Sequence, residues 1–387
     1  MSPAWLTGTL RAAGLLERAS VTAVDVEIIG AGEGFVGEIG RLRLTFDAPE
    51  ACAPGSLIVK LPTGNRTNRG MAQMGAAYER EIRFYQELAE EVPIRTPRLY
   101  HADCDATPGA AYGERIARVL DGLPYWLLGP VIDFFVWLGR LPWQRSILLL
   151  EDMAPARVGD QVNGCSLDQT RTILRSIAAA HAPYWDSPRL RELWWLGALD
   201  VLARSFKLLL RRSRSSYDER YRSLFGGLYE WLDQHSVELT KQLVMSPATL
   251  IHGDFRLDNL FLTESDPAEV AAIDWQVASR GPGVWDVAYF LCGTLARDVS
   301  SQTELELLRV YHDELLAHGV CGYDFDRCLL DYRRCLLILV GRLVAGAESL
   351  EFEHERGHVL IDTWLARLAA RVRDLDPDAL LDSVRIA

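Results

Sequence analysis

Between Ile251 and Gln276 the chain runs His252-Gly-Asp254-Phe-Arg-Leu-Asp-Asn259 and, after a short polar stretch, Val270-Ala-Ala-Ile273-Asp274-Trp275. Apolar runs around 247–251, 259–263 and 270–274 read as short strands, which places these polar residues in or beside the loops between strands. His-Gly-Asp alone reads as turn chemistry, with Asp and Asn as ordinary turn residues. Asn259 five residues after Asp254, and Asp274 closing an apolar strand, are more than a turn requires.

Two carboxylates and an amide in this order suit phosphoryl transfer on a magnesium nucleotide. One carboxylate faces the acceptor hydroxyl and accepts its proton, while the amide and the second carboxylate hold Mg2+ on the phosphates. The pattern HGDxxxxN followed by Ile273-Asp274-Trp275 resembles the aminoglycoside phosphotransferase and choline kinase superfamily, and within it the ecdysteroid-kinase-like branch. Carried over by position, the resemblance implies Asp254 as catalytic base and Asn259 and Asp274 as metal ligands. Asp258 lies in the loop but off the pattern. Trp285-Asp286 matches a downstream landmark whose Asp braces the catalytic loop in such families.

The resemblance also implies an α+β, two-lobed, protein-kinase-like fold. Residues 1–150 would form a small lobe with an antiparallel sheet plus helix, and 151–387 a larger, mainly helical lobe. The strand pattern of the first lobe is visible without it: Val21–Ile29, Gly37–Phe46 and Ser56–Leu61 are rich in Val, Ile and Thr and separated by turn residues. Between the first two lies Gly30-Ala-Gly32-Glu-Gly34-Phe-Val-Gly37, where Gly32 and Gly34 would let backbone amides approach phosphates. A hairpin turn explains the same glycines.

Only three of the 41 basic residues are lysines, at 60, 207 and 241, so a lysine ending the third strand stands out. Lysine as a compact charge is not interchangeable with arginine, and Lys60 is the expected grip on the nucleotide phosphates. Its expected partner is Glu81, with Glu79 as second choice, on a helix over 72–91 whose apolar residues recur at helical spacing. A solvated charged face would give the same Glu and Arg pattern. Ile147–Leu150 reads as a strand running into Glu151-Asp-Met153. The resemblance makes this the hinge, with the Glu151 carbonyl and Met153 amide binding adenine and Leu150 bordering it.

Residues 114–143 depart from the family pattern by inserting Leu123–Leu138, which is largely apolar and interrupted by Asp133 and two prolines. It is too short and broken to span a membrane. A helix packed on the first lobe, an apolar cap or docking surface, and an interfacial anchor remain open, the last disfavoured by the lack of flanking lysines. Helices are expected at 167–181, capped by Ser166, and at 215–243, 303–318, 324–350 and 357–374. His181 reads as a packed histidine.

A formal net charge of −12 argues against nucleic acid as a partner. Seven scattered cysteines without CxxC spacing and the absence of a secretory signal favour a cytoplasmic location. A protein kinase is disfavoured: Gly253 stands where the arginine of His-Arg-Asp would be, and only about ten residues separate Asp274 from Trp285-Asp286. The expected activity is transfer of the ATP γ-phosphate, with Mg2+, to the hydroxyl of a small molecule, sterol-like or otherwise lipophilic. An aminoglycoside- or choline-type kinase with a cationic substrate is the alternative, for which Asp298, Glu304, Glu306, Asp313 and Glu314 would supply acid; a nucleotide-binding pseudokinase scaffold is another.

Overall fold

The computed structural model describes residues 1–29, 37–105, 113–139, 145–263, 269–349 and 355–382. Five strands, β1 (Val21–Ile29), β2 (Gly37–Phe46), β3 (Ser56–Pro62), β4 (Leu99–Cys104) and β5 (Ser146–Glu151), form an antiparallel sheet in the order β1-β2-β3-β5-β4. The period-two alternation of a strand divides its side chains between two cores. Leu57, Val59 and Leu149 pack with Leu6 and Leu10 of helix α1 (Pro3–Ala12), whereas Leu148 and Leu150 turn to the other face. Leu6 and Leu10 are fully buried, each contributing about 2 kcal/mol of apolar burial.

That second face carries helix α3 (Ala77–Glu87), preceded by a separate helix α2 (Arg66–Met74), where the sequence predicts one over 72–91. Gly75 caps α2, and Ala76 is left-handed at φ 52°, which breaks the hydrogen-bond ladder between them. The break frees the Gly75 carbonyl to accept from Arg80 Nη2 at 3.0 Å, and Arg80 Nη1 donates 3.1 Å to the Gln276 carbonyl beyond Asp274.

The 114–143 insertion is two helices, α4 (Gly113–Asp121) and α5 (Tyr125–Gly139); its last residues lie outside the described ones. α5 packs on α2 and on α7 (Ala203–Arg212) of the helical part. Arg212 pairs with Asp133 at 2.7 Å, and Asp121 accepts the amides of Arg204 and Ser205. The insertion therefore bridges α2 and the helical part. Its outer face keeps Trp126 77 % and Trp137 56 % exposed. Among the described residues, no helix is long and apolar enough to cross a membrane.

The helical part contains α6 (Leu167–His181), α7, α8 (Leu228–Leu243), α9 (Val284–Thr294), α10 (Ser301–Ala317), α11 (Phe325–Ser349) and α12 (Glu355–Val372). Ser166 caps α6 in a reciprocal capping box with Gln169. The predicted 215–243 helix is broken: a π-turn over 217–221 and Gly226, at φ 56°, divide it before α8 begins. Short strands β7 (Thr249–Ile251), β8 (Leu260–Leu262) and β9 (Val270–Ala272) flank the catalytic-type loop. β8 pairs with β6 (Arg157–Val158) and β9, and β7 pairs with β10 (Ser279–Gly281).

Candidate active site

β7 delivers His252 and Gly253, and β9 delivers Asp274. The β8–β9 register continues through Ile273, whose amide donates 3.0 Å to the Asn259 carbonyl, so Asn259 and Asp274 are brought to the same end of the ladder. Asp286, fully buried at the start of α9, accepts the amides of His252 (2.6 Å) and Gly253 (2.9 Å). His181 reaches the same carboxylate through Nε2 at 3.2 Å and the Tyr311 hydroxyl through Nδ1 at 2.9 Å, which fits the packed histidine expected from sequence. Gly253 has φ 84°, and a Cβ there would lie 2.6 Å from the Val277 carbonyl. No side chain fits, which explains glycine before Asp254.

His252 is part of the loop's scaffold. Its Nε2 lies 2.8 Å from the Ile273 carbonyl, and its Nδ1 accepts the Asp254 amide at 3.2 Å, which assigns the proton to Nε2. Its ring tilts against Trp275 at 4.6 Å between centroids, and Trp275 stacks on Phe84 of α3 at 4.0 Å and 8°. One aromatic stack thus ties α3 to both polar loops.

Asn259 donates Nδ2 to the Asp254 carbonyl (2.8 Å) and carboxylate (2.9 Å), leaving its amide oxygen for a hard cation. Arg256 sits beside Asp254 (3.4 Å) and Asp258 (2.7 Å). Burial works against its charge, but the two carboxylates outweigh burial and keep it protonated. Asp258 also accepts the Gln161 amide at 2.8 Å, consistent with a place outside the metal set. The Tyr289 phenol of α9 stands beside Asp254, and burial together with that negative charge pushes it well above its ordinary value. It is a neutral donor next to the candidate base. Sequence reading missed Tyr289 and Arg256; the position of Arg256 inside the motif was the available signal.

Lys60 Nζ bridges Glu81 at 2.6 Å and Asp274 at 2.7 Å. Glu79 is buried on the same helix and faces Arg83 instead. Burial, reinforced by Asp274 and only partly offset by Lys60, pushes the Glu81 carboxyl up to about 7. Burial also acts upward on Asp274, yet Lys60 holds it below its ordinary range. One ammonium thus serves two carboxylates. Asp274 itself is left-handed at φ 68°, a backbone strain of the kind retained at functional sites. Gly37, Lys60, Tyr78, Glu81, Leu148 and Gln276 line a cleft of about 300 Å³ here.

Gly32 and Gly34 lie outside the described residues. Glu151 ends β5, its side chain held by Arg95 (3.1 Å) and the Arg98 amide (3.1 Å). Met153 is buried two residues on, and Leu150 is buried in the sheet. Between Glu151 and Met153, Asp152 accepts from Arg41 (2.7 Å), Ser56 (2.6 Å) and the Ala154 amide (3.2 Å). Burial raises this carboxyl, but those hydrogen bonds prevail and its pKa falls. Asp152 pins the connection to the sheet, a function the sequence did not reveal.

The donor set fits a nucleotide-bound magnesium. Among the described residues, no three His, Cys, Asp or Glu side chains gather around a metal position. Magnesium shared with phosphates and water needs only one or two protein oxygens, and Asn259 and Asp274 supply oxygen donors of that hard type.

Residues 197–319, which include the whole loop from His252 to Asp286, match the ecdysteroid kinase-like family. A choline kinase from Cryptosporidium parvum Iowa II superposes over 95 % of both chains with a TM-score of 0.55 at 9 % identity. The GDP and kanamycin complex of APH(2″)-IIia superposes over 96 % of this chain and all of its own, with a TM-score of 0.51 at 12 % identity. These findings bear out the resemblance and the two-lobed kinase-like fold. Among curated proteins, a probable acyl-CoA dehydrogenase IBR3 of Arabidopsis thaliana is 33 % identical over 221 residues, 57 % of this chain and 23 % of that protein. Acyl-CoA dehydrogenase family member 11 of Mus musculus is 31 % identical over 107 residues, 25 % of this chain and 14 % of that protein. The chain spans less than a quarter of the length of these curated relatives.

Proposed function

We propose that the protein is an ATP- and Mg2+-dependent phosphotransferase whose acceptor is the hydroxyl of a lipophilic small molecule. The observation that carries this reading is the convergence, from separate stretches of chain, of two hydrogen-bonded groups, Lys60 with Glu81 and Asp274 and Asp254 with Asn259, joined where the Ile273 amide donates to the Asn259 carbonyl. Asp254 would align the acceptor hydroxyl and accept its proton, with the Tyr289 phenol and Arg256 fixing its carboxylate. Lys60, oriented by Glu81, would turn its charge to the nucleotide phosphates, and Asn259 and Asp274 would hold the metal. Magnesium, when bound, supplies the charge neutralisation on which such transfer depends. Glu151 and Met153 would present backbone groups to the base, and Gly32 and Gly34 would cover the phosphates.

Two observations support a lipophilic acceptor over a cationic one. The family match is to ecdysteroid kinase-like proteins, and the longer relatives are named for acyl-CoA, a thioester of an acyl chain. The acids foreseen as a lining for a cationic substrate are dispersed. Glu304 is buried against Arg371 at 3.0 Å, Glu314 faces Arg175, and Asp298, Glu306 and Asp313 are exposed on the surface. The dehydrogenase activity in the relatives' names belongs to proteins far longer than this chain and is not carried over.

The test is ADP release from Mg-ATP with a panel of sterols, hydroxyacyl compounds, choline and cationic sugars. A lipophilic alcohol is expected to be turned over fastest. Turnover confined to cationic sugars or choline would overturn the acceptor class, and nucleotide binding with no phosphorylated product from any alcohol would favour a pseudokinase.

A further inference from the structure

Helices α7, α8 and α11 enclose a second cleft, of about 310 Å³, lined by Phe206, Lys207, Leu210, Thr240, Ile338 and Arg342 among others. It adjoins the catalytic-type loop through a single ring. The Arg342 guanidinium stands 4.8 Å from the Trp285 ring centroid, and Trp285 Nε1 points at the Gly253 carbonyl 3.5 Å away, one residue before Asp254. Arg342 also lies 4.3 Å from the Phe206 ring centroid.

Neither cation of this cleft forms an ion pair among the described residues. Arg342 donates 3.0 Å to the Leu199 carbonyl and pairs with no carboxylate among the described residues. Lys207 reaches the Gln234 carbonyl at 3.4 Å and likewise forms no ion pair among them. The neighbouring arginines differ: Arg211 pairs with Asp233 and Arg212 with Asp133. Burial pulls Arg342 down to about 10, and burial also lowers Lys207, although Asp233 acts the other way. A desolvated cation without a partner is costly, and a ligand anion would offset that cost. The rest of the lining sets apolar Leu210, Ile338 and the Phe206 ring beside the hydroxyl-bearing Ser236 and Thr240. Phe206 and Trp285, the rings a quaternary ammonium would seek, are already engaged by Arg342.

We propose that this cleft receives the carboxylate or phosphate of an amphiphilic acceptor, with Arg342 as its anchor and Lys207 as the second cation. The inference rests on the phosphotransferase reading for the identity of the ligand as acceptor, and it deepens that reading from a lipophilic alcohol to an anionic one. An arginine beside aromatic rings presents its donor edge as a planar fork, suited to carboxylate and phosphate oxygens.

The experiment measures binding by calorimetry and ADP release in parallel on one series of equal chain length. Its members are an ω-hydroxy fatty acid, the corresponding hydroxyalkyl phosphate, the methyl ester of the acid, and a hydroxyalkyl trimethylammonium. The anionic probes should bind at least about tenfold tighter than the ester or the ammonium, and Arg342→Gln should cost them about 10- to 100-fold, the size of a charge-assisted hydrogen bond. Arg342→Lys should recover part of that loss. The tighter of acid and phosphate identifies the anion. Equal binding of the ester or ammonium, no binding of either anion at millimolar concentration, or an Arg342→Gln protein of unchanged melting temperature and unchanged selectivity overturns the proposal. If Arg342→Gln does not fold, Lys207→Gln decides: a several-fold weaker hold on the anions supports the cleft, and unchanged binding overturns it. Anion binding without ADP release would keep the cleft and refute the transferase reading; ADP release blind to acceptor charge would do the reverse.

Discussion

Lys60 and Arg342 are both withdrawn from solvent, and they are satisfied in opposite ways. Lys60 lies between two carboxylates at 2.6 and 2.7 Å, of which Glu81 is raised to about 7, so its cluster turns net negative as pH rises through that value. Arg342 lies beside two aromatic rings with no carboxylate paired to it among the described residues. Above about pH 7 the first site carries surplus negative charge, ready for a metal ion. The second carries surplus positive charge, ready for an anion. The difference teaches that the sign of the charge imbalance, more than the presence of charge, tells what each side of the catalytic-type loop is prepared to receive.

The largest break in that comparison comes from the anionic side. Asp274→Asn removes a candidate metal ligand and one of the lysine's two partners, and is expected to lower product formation by about a thousandfold or more. Titration of turnover against magnesium is the check; a wild-type magnesium response in the variant would contradict the assignment. Lys60→Met should cost about a hundredfold, and Lys60→Arg should recover little of it, because a planar fork does not replace a point charge between two carboxylates. Recovery to near wild-type rates would show that the pocket tolerates any cation.

Tyr289→Phe sharpens the picture of the base. Loss of the phenol beside Asp254 should lower kcat about fivefold, with KM for nucleotide unchanged. An unchanged kcat would reduce Tyr289 to a packing residue.

The smallest effect concerns stability. The Glu81 carboxyl is raised from 4.5 to about 7 in the folded protein. Its contribution to stability is therefore complete below about pH 4.5 and is lost as pH rises through 7. Glu81→Gln removes a charge the cluster does not need for folding. The variant should melt a few degrees higher than the wild type at pH 8.5 and about level with it at pH 5.5, while turnover falls. A lower melting temperature at both pH values would show that the Lys60–Glu81 pair is net stabilising.

The motif from His252 to Asp274 was legible because a short, dense pattern places each chemical group by position, and the alternating strands around it predicted the sheet. Lys60 was legible through scarcity, as one of three lysines. What escaped depends on distant packing. The split between α2 and α3 at left-handed Ala76 left one signal, Gly75, that the helical spacing over 72–91 overrode. Asp152 looked like one more residue of a backbone-contact segment until Arg41 and Ser56 of neighbouring strands met it. Arg342 sits far along the chain in a helix rich in arginine, and only the arrival of Phe206 and Trp285 beside it distinguishes it.

The most direct measurement follows a phosphate ester by phosphorus NMR when Mg-ATP is incubated with the best-bound alcohol, using wild type and Asp254→Asn side by side. The account predicts ester formation by the wild type, and its reduction by about a thousandfold in a variant that still folds and binds Mg-ATP. Ester formation at the wild-type rate without the Asp254 carboxylate would contradict it.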